Sequence, residues 1–239
     1  MAYDYQDLQE AEPIELTDEH EDLKKSVRKF AMEVMRPASI ELDKMDPADV
    51  IKPGSPYWDC MKKMHELGYH TIFIPEDYGG IGLDPLGLHI FFEEMGAASI
   101  GLAVSCGVDV FPTFFTSMIL SDYPELEDIL IKPYVADKDC SMLGCWAITE
   151  PEHGSDILTP YQPHFHNPKI NHQLVGRQDG NDWILNGQKA AWVSNGTIAS
   201  TALLFFGTDS SKGLAGGGIA IVDLNQEGVS RGKPLDKIG

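Results

Sequence analysis

The chain has 239 residues, of which 43% are hydrophobic and 23% are charged, and its formal net charge is -19 at pH 7. A chain of this length and composition can bury a core, which argues against intrinsic disorder. So acidic a protein is also a poor non-specific nucleic-acid binder, because phosphate contacts need a basic surface. An anionic cofactor is not excluded, since helix N-termini and backbone N–H groups hold phosphate locally.

The lack of a recognisable secretory signal and the scattered cysteines lead us to expect a cytoplasmic protein. Residues 1–15 are predicted to form an acidic tail without the basic and apolar regions of a secretory signal. The four cysteines are scattered and form no CxxC pair, so we expect neither a disulfide framework nor a zinc site. No apolar run approaches the roughly 18 residues of a membrane helix, and no membrane span is expected.

Residues 16–140 have the spacing of helices and are predicted to form a helical N-terminal domain. Thr17 can cap a first helix, which Pro37 is expected to bend or end. A second helix is expected to start at Ser55 and to stop at Gly68.

The remaining helices of this domain are predicted from apolar composition. The stretch from Pro85 to Val110 suggests a buried helix pair that breaks near Gly101. One more helix is expected from Tyr123 to about Val135.

Residues 141–239 change to short apolar runs separated by Gly, Asn, Asp and Pro. The predicted strands are 146–149, 183–185, 191–194, 202–206 and 218–222. Asn186-Gly187 is a tight-turn signal between two of these runs. The pattern predicts an antiparallel sheet or small barrel, and hence an α+β fold rather than a doubly wound one.

The glycine-rich segment Gly213–Gly218 resembles a dinucleotide fingerprint only superficially. Its spacing is wrong, and the glycines precede a strand instead of joining a strand to a helix. We expect it to be the connection of a hairpin.

The densest cluster of chemically useful residues runs from Trp146 to Asp156. A strand is expected to end at Thr149 and to open into a small-residue segment at Gly154 and Ser155. Such a segment, beside a large aromatic, suits a planar cofactor with a phosphate arm. A β-turn with a buried tryptophan explains the residues equally well.

A second cluster runs from Asn186 to Gly196. Trp192 and Ser194 are two residues apart, which places them on one face of a strand. Both could lie against a cofactor plane, although for an isolated pair a core residue beside a solvated one is the simpler interpretation.

Together the two clusters resemble the acyl-CoA dehydrogenase family. The resemblance rests on Thr149-Glu-Pro followed by Gly154-Ser-Asp, on the segment Asn186–Gly196, and on the loop Pro75–Leu83. It implies an all-helical N-terminal domain, a middle antiparallel β-barrel domain at 141–239 that binds FAD and is incomplete at its C-terminus, and a C-terminal helical domain absent from this chain.

The resemblance also implies roles for individual residues. Trp146, Ile148 and Thr149 would line the isoalloxazine ring, with Thr149 near the pyrimidine edge that becomes negative on reduction. Gly154 and Ser155 would approach the ribityl and phosphate groups, and Ser155 is also expected to contact substrate. Trp192 would pack on the flavin and Ser194 would approach N5.

Two departures from the family pattern stand out. Two alanines separate Lys189 from Trp192 where the family has one residue, so we anchor on Trp192 and expect a bulge at Ala190-Ala191. The segment 157–182 is longer than usual and contains three histidines, His164, His166 and His172. Without nearby Cys or carboxylate ligands we expect a surface loop and no metal.

The implied activity is α,β-dehydrogenation of an acyl-CoA thioester, with electrons passed to an electron-transferring flavoprotein. The catalytic glutamate is expected beyond Gly239, and none of Glu93, Glu94 and Glu150 should replace it. The chain is therefore expected to be a fragment or one piece of a split enzyme, within a homodimer or homotetramer. Alternatives are a non-catalytic subunit that needs a partner, or a same-fold desulfinase or nitroalkane oxidase.

Overall fold

The computed structural model describes residues 15–237, in which a helical domain is followed by a mixed β-sheet. The predicted acidic tail lies outside the described residues except for Glu15. The α-helices are α1 (Asp18–Phe30), α2 (Arg36–Leu42), α3 (Pro47–Val50), α4 (Pro56–Glu66), α5 (Pro85–Ala98), α6 (Ile100–Asp109), α7 (Phe111–Ser117) and α8 (Lys132–Ala136). The strands are β1 (Gly144–Ala147), β2 (Val175–Asp179), β3 (Asp182–Asn186), β4 (Thr201–Gly207) and β5 (Gly217–Asp223).

The first helix begins at the predicted cap but continues past Pro37. The Thr17 hydroxyl accepts the N–H of His20, and the helical path runs from Asp18 through a π-helical turn, Ala31–Met35, into α2. Proline removes one intrahelical hydrogen bond, and the wider π turn just before Pro37 accommodates that loss. The expected bend or end at Pro37 is therefore replaced by a continuous, locally widened helix.

The other helix boundaries fall close to the predicted positions. Helix α4 starts at Pro56 and is terminated by Gly68, which has the left-handed backbone (φ 79°) that ends many helices. The break predicted near Gly101 lies at Ser99, whose extended backbone separates α5 from α6. The helix predicted from Tyr123 begins later, with a π-helical turn at Glu127–Ile131 that leads into α8.

One helical stretch corrects an expectation drawn from the sequence. Residues Ile100–Ser117 are long and apolar enough, by length and composition, to cross a membrane. Half of this stretch is buried within the fold, and it contains the fully buried Asp109. A core helix of a soluble protein passes the same test, so the stretch is weak evidence for a membrane span.

The sheet is mixed, which corrects the prediction of an antiparallel sheet. Strand β4 pairs in parallel with β1 and antiparallel with β5. The β2–β3 hairpin is antiparallel and joins β4 through the single pair Val175 and Gly207. The described strands are ordered β1-β4-β2-β3 with β5 on β4, and within 15–237 they do not close into a barrel.

The connections between strands were predicted in part. Gly213–Gly216 ends the connection of the β4–β5 hairpin, as expected, and Gly217 and Gly218 are the first residues of β5. The hairpin signal at Asn186-Gly187 was wrong: the tight turn is Gly180-Asn181, between the paired residues Asp179 and Asp182. Gly180 there has a φ of 64°, which glycine adopts without strain.

A buried carboxylate joins the helical domain to the sheet. Asp109, at the end of α6, accepts the N–H of Gly144 at 2.7 Å, where β1 begins. Its other oxygen is bonded to His65 Nε2 and to the Tyr134 hydroxyl, both at 3.1 Å. Since all four residues are buried, β1 is held in one position against the helices.

Gly144 is required at this junction because there is no room for a side chain. A Cβ at Gly144 would lie 2.1 Å from the Asp109 carbonyl oxygen and 2.8 Å from Pro112. Backbone atoms cannot move aside cheaply, so we predict that Gly144→Ala lowers the free energy of unfolding by about 3 kcal/mol.

Chemical denaturation of the protein measures this loss. Gly96→Ala is the matched control, because nothing lies within 4 Å of a Cβ at this helical position, and it should be neutral or stabilise by up to about 1 kcal/mol. Equal stability of the two variants would show that the junction is not tightly packed.

Candidate functional site

The two sequence clusters predicted to hold a cofactor meet in the structure. The carbonyl of Thr149, just after β1, accepts the N–H of Ala190 at 3.0 Å. This bond brings the Thr149-Glu-Pro turn against the segment that leads to Trp192. The fold therefore joins two motifs that are about 40 residues apart in the chain.

A buried ion pair reinforces this meeting point. The Lys189 ammonium donates to Glu150 Oε1 at 2.8 Å and to the Ile148 carbonyl at 3.1 Å. Glu150 also accepts the N–H groups of Gln173 at 2.7 Å and Leu174 at 3.1 Å. The Glu150 side chain is fully buried and that of Lys189 is 7% exposed.

The charges of this pair are set by its surroundings. Burial acts to raise the pKa of Glu150, but the N–H groups of Gln173 and Leu174 and the Lys189 ammonium outweigh it and leave that pKa below its ordinary value. Burial lowers the pKa of Lys189, although Glu150 opposes that change. From the sequence, Glu150 was expected only in a turn and Lys189 had no assigned role. The ion pair between them was therefore not predicted.

Trp146 and Ile148 lie on the buried face of the first cluster. The Trp146 ring packs edge-on against Phe111, with ring centroids 5.3 Å apart, and its Nε1 is buried without a partner among the described residues. Ile148 is 6% exposed and packs in a cluster with Ile157 and Leu214. The Ile148 side chain is therefore part of the core, and the Trp146 N–H remains able to bond an added group.

Gly154 and Ser155 lie on an open segment held by an internal carboxylate. Asp156 accepts the Gly154 N–H at 2.7 Å and contacts His153 Nδ1 at 2.8 Å. Burial acts to raise the pKa of Asp156, but these bonds lower it below its ordinary value. The Gly154 N–H is thus already occupied, whereas Ser155 is exposed and nothing lies within 4 Å of a Cβ at Gly154.

Trp192 and Ser194 are not on a strand, which corrects the sequence prediction. Ala191 has a φ of 53° and the Trp192 N–H is bonded to the Ala190 carbonyl at 2.7 Å, so the chain turns sharply there. The expected irregularity at Ala190-Ala191 is present, but as a turn instead of a bulge within a strand. Ser194 begins a further turn that continues to Ile198.

Asn195 fixes that turn to the rest of the protein. Its amide Nδ2 donates to the carbonyls of Ser105 at 2.9 Å and Gly144 at 3.2 Å, and its Oδ1 accepts the Ser105 hydroxyl at 2.7 Å. These bonds hold the residue in a left-handed backbone, with a φ of 62°. Asn195 thereby anchors Ser194 to helix α6 and strand β1. The sequence signal was Asn-Gly itself, a pair that favours left-handed turns.

The arrangement fits a planar, polar cofactor. Trp192 is 68% exposed, so most of its large aromatic side chain is open, although the Lys237 ammonium lies over the ring at 4.1 Å from the centroid. Partly buried Thr149 and Ser194 offer hydroxyls on the two segments that meet, and Trp146 offers a free N–H. Sites of this kind, with apolar walls and a few polar groups, hold organic cofactors.

Other candidate groups have structural partners. Among residues 15–237 no group of three His, Cys, Asp or Glu side chains is placed to hold a metal ion. His164 Nε2 contacts the Asp156 carbonyl and His166 Nε2 contacts the Pro160 carbonyl, both at 3.1 Å. The buried Glu94 is held by two hydrogen bonds from Arg28.

Two family models match this chain. The model described as "Acyl-CoA dehydrogenase, N-terminal domain" matches residues 17–120, and "Acyl-CoA dehydrogenase, middle domain" matches residues 145–239. The matched ranges contain both clusters and most of the helical domain.

Similarity to individual proteins supports the same family. The chain is 31% identical over 229 residues to the short-chain specific acyl-CoA dehydrogenase of Rattus norvegicus, covering 95% of this chain and 49% of the relative. It is 32% identical over 225 residues to a 3-(aryl)acrylate reductase of Clostridium sporogenes, covering 93% and 52%. Butyryl-CoA dehydrogenase from Megasphaera elsdenii has a similar fold, with a TM-score of 0.71 at 24% identity over 95% of this chain and 54% of that one.

The chain spans about half the length of the curated relatives that it matches.

The buried ion pair generates a stability prediction. Replacing Lys189 by Met leaves the Glu150 carboxylate buried without its cation, which should cost about 3–5 kcal/mol of unfolding free energy. Lys132→Met is the matched control, because Lys132 pairs with Glu127 and Asp128 at an exposed site and should cost less than about 1 kcal/mol. Denaturant titration of both variants measures the difference, and similar losses would contradict the assigned role of Lys189.

Proposed function

This chain belongs to the acyl-CoA dehydrogenase family, and from that membership we propose that the full-length protein is an FAD-dependent acyl-CoA dehydrogenase. Its reaction would be the α,β-dehydrogenation of an acyl-CoA thioester to a 2-enoyl-CoA. The observation that carries the proposal is the joining of the two cofactor motifs by the Ala190–Thr149 bond and the Lys189–Glu150 ion pair.

The proposed cofactor site uses the groups that the structure leaves open. FAD, when bound, supplies the hydride-accepting chemistry. The exposed Trp192 side chain would pack on the flavin, and the Ser194 hydroxyl would lie towards its N5 side. Thr149 would face the pyrimidine edge. The exposed Ser155 hydroxyl and the open space at Gly154 would accommodate the ribityl and phosphate region and the nearby substrate.

The proposed catalytic base lies in the part of the full-length protein that corresponds to the other half of its relatives. Glu94 and Glu150 are unsuitable, because both are buried and held in ion pairs. We also propose that the protein is a homodimer or homotetramer in the cytoplasm. An electron-transferring flavoprotein would accept its electrons. The helical domain would end at residue 140 and the flavin-binding domain would begin at residue 141.

A second candidate function is the reverse chemistry, reduction of an α,β-unsaturated substrate. It is favoured by the 32% identity to a relative named 3-(aryl)acrylate reductase. The same flavin site could serve oxidation or reduction of the carbon–carbon bond. The two activities differ in their substrate and in the protein or cofactor that exchanges electrons with the flavin.

We predict that the full-length protein is isolated with a flavin whose visible absorption is bleached by an acyl-CoA thioester under anaerobic conditions. Ser194→Ala should keep the flavin and slow the bleaching by about 10²-fold, because one hydrogen bond to the reacting centre is lost. Ser211→Ala, at an exposed serine in the β4–β5 connection, is the matched control and should react at the wild-type rate.

Three results distinguish the alternatives. Bleaching by acyl-CoA supports the dehydrogenase. Bound flavin that no acyl-CoA reduces, but that an enoyl or aryl-acrylate substrate reoxidises after chemical reduction with dithionite, supports the reductase. Absence of flavin from the full-length protein contradicts both and leaves a non-catalytic scaffold.

A further inference from the structure

Lys189 has an unusual position for a lysine. Its ammonium is almost completely buried, and its two described partners are the Glu150 carboxylate and the Ile148 carbonyl. Buried ion pairs are a poor source of stability, since well-packed apolar residues often do as well or better. A buried cation beside the proposed flavin site therefore calls for a role beyond holding the fold.

The contact with the Ile148 carbonyl leads directly to Thr149. The carbonyl of Ile148 and the N–H of Thr149 belong to one planar trans peptide unit, in which the two groups point in opposite directions. An ammonium 3.1 Å from the oxygen draws electron density towards it and makes the Thr149 N–H a stronger donor. That N–H points away from Lys189.

The charges around the ammonium are fixed. Glu150 is held by the N–H groups of Gln173 and Leu174 as well as by Lys189, so it cannot swing away. His172 Nδ1 lies 3.9 Å from Glu150 Oε1, but burial lowers the pKa of His172 and keeps it neutral near pH 7. Lys189 is thus the one cation at hydrogen-bond distance from this peptide among the described residues.

We propose that Lys189 is a positioning residue that sets the redox potential of the bound flavin, by polarising the Ile148–Thr149 peptide towards the pyrimidine edge. This inference rests on the proposed flavin site. Reduction places negative charge on that edge, and a stronger Thr149 donor stabilises the reduced form more than the oxidised one. Glu150 holds the ammonium in place.

The test is the midpoint potential of FAD in the full-length protein and its variants. Lys189→Gln removes the charge but can still donate a hydrogen bond. It should weaken binding of reduced relative to oxidised flavin about tenfold, which lowers a two-electron potential by about 30 mV. Lys189→Arg keeps the charge and should retain most of the wild-type potential.

Two further variants complete the design. Lys62→Gln removes an exposed lysine that pairs with Asp139 and should leave the potential unchanged. The double variant Glu150→Gln, Lys189→Gln buries no unbalanced charge, so it tests the same effect if the single neutral variant is unstable. It should also lower the potential.

The outcomes separate this inference from the proposed function. FAD bound to Lys189→Gln or to the double variant at the wild-type potential overturns the role of Lys189 and leaves the function intact. If both neutral variants lose FAD while Lys189→Arg binds it at the wild-type potential, Lys189 only holds the segment before Trp192 in place. That result also overturns the tuning role. Absence of FAD from the wild-type protein contradicts the proposed function itself.

Discussion

The geometry of this protein depends on the buried carboxylate of Asp109. It binds the first peptide N–H of β1 and, through His65 and Tyr134, holds the ends of three helical segments together. Burial raises the pKa of Asp109, and its hydrogen bonds act to lower it. Because the pKa stays above its ordinary value, these bonds only partly replace the hydration that the carboxylate loses on folding. Because β1 leads directly into Thr149, the position of the candidate site on the helical domain is set at this point.

From that junction the site is fixed by two further polar contacts. Asn195 ties the Ser194 turn to helix α6 and to Gly144, and the Glu150–Lys189 pair ties the Thr149 turn to the segment before Trp192. The exposed side chains of Trp192 and Ser155 therefore lie on segments that buried polar contacts hold in place. A preorganised surface of this kind binds a rigid cofactor without a large ordering cost.

The sequence predicted α4, the α5–α6 pair and the β4–β5 hairpin well, because periodicity and glycine punctuation are local signals. The predictions from sequence were wrong where tertiary contacts determine the local backbone structure. The run Ala191–Ser194 has strand propensity, but the side-chain bonds of Asn195 force turns there. Strand β2 was missed because Val175–Asp179 is mostly polar and exposed. The Glu150–Lys189 pair joins residues 39 apart, and no local pattern announces it.

A structure of the full-length protein with FAD bound is the sharpest test of the proposed flavin site. We expect the isoalloxazine ring to lie against the Trp192 side chain, with its pyrimidine edge within hydrogen-bond distance of Thr149 and with Lys189 still bonded to the Ile148 carbonyl. A flavin bound elsewhere, with Trp192 and Thr149 facing solvent or another domain, would contradict it.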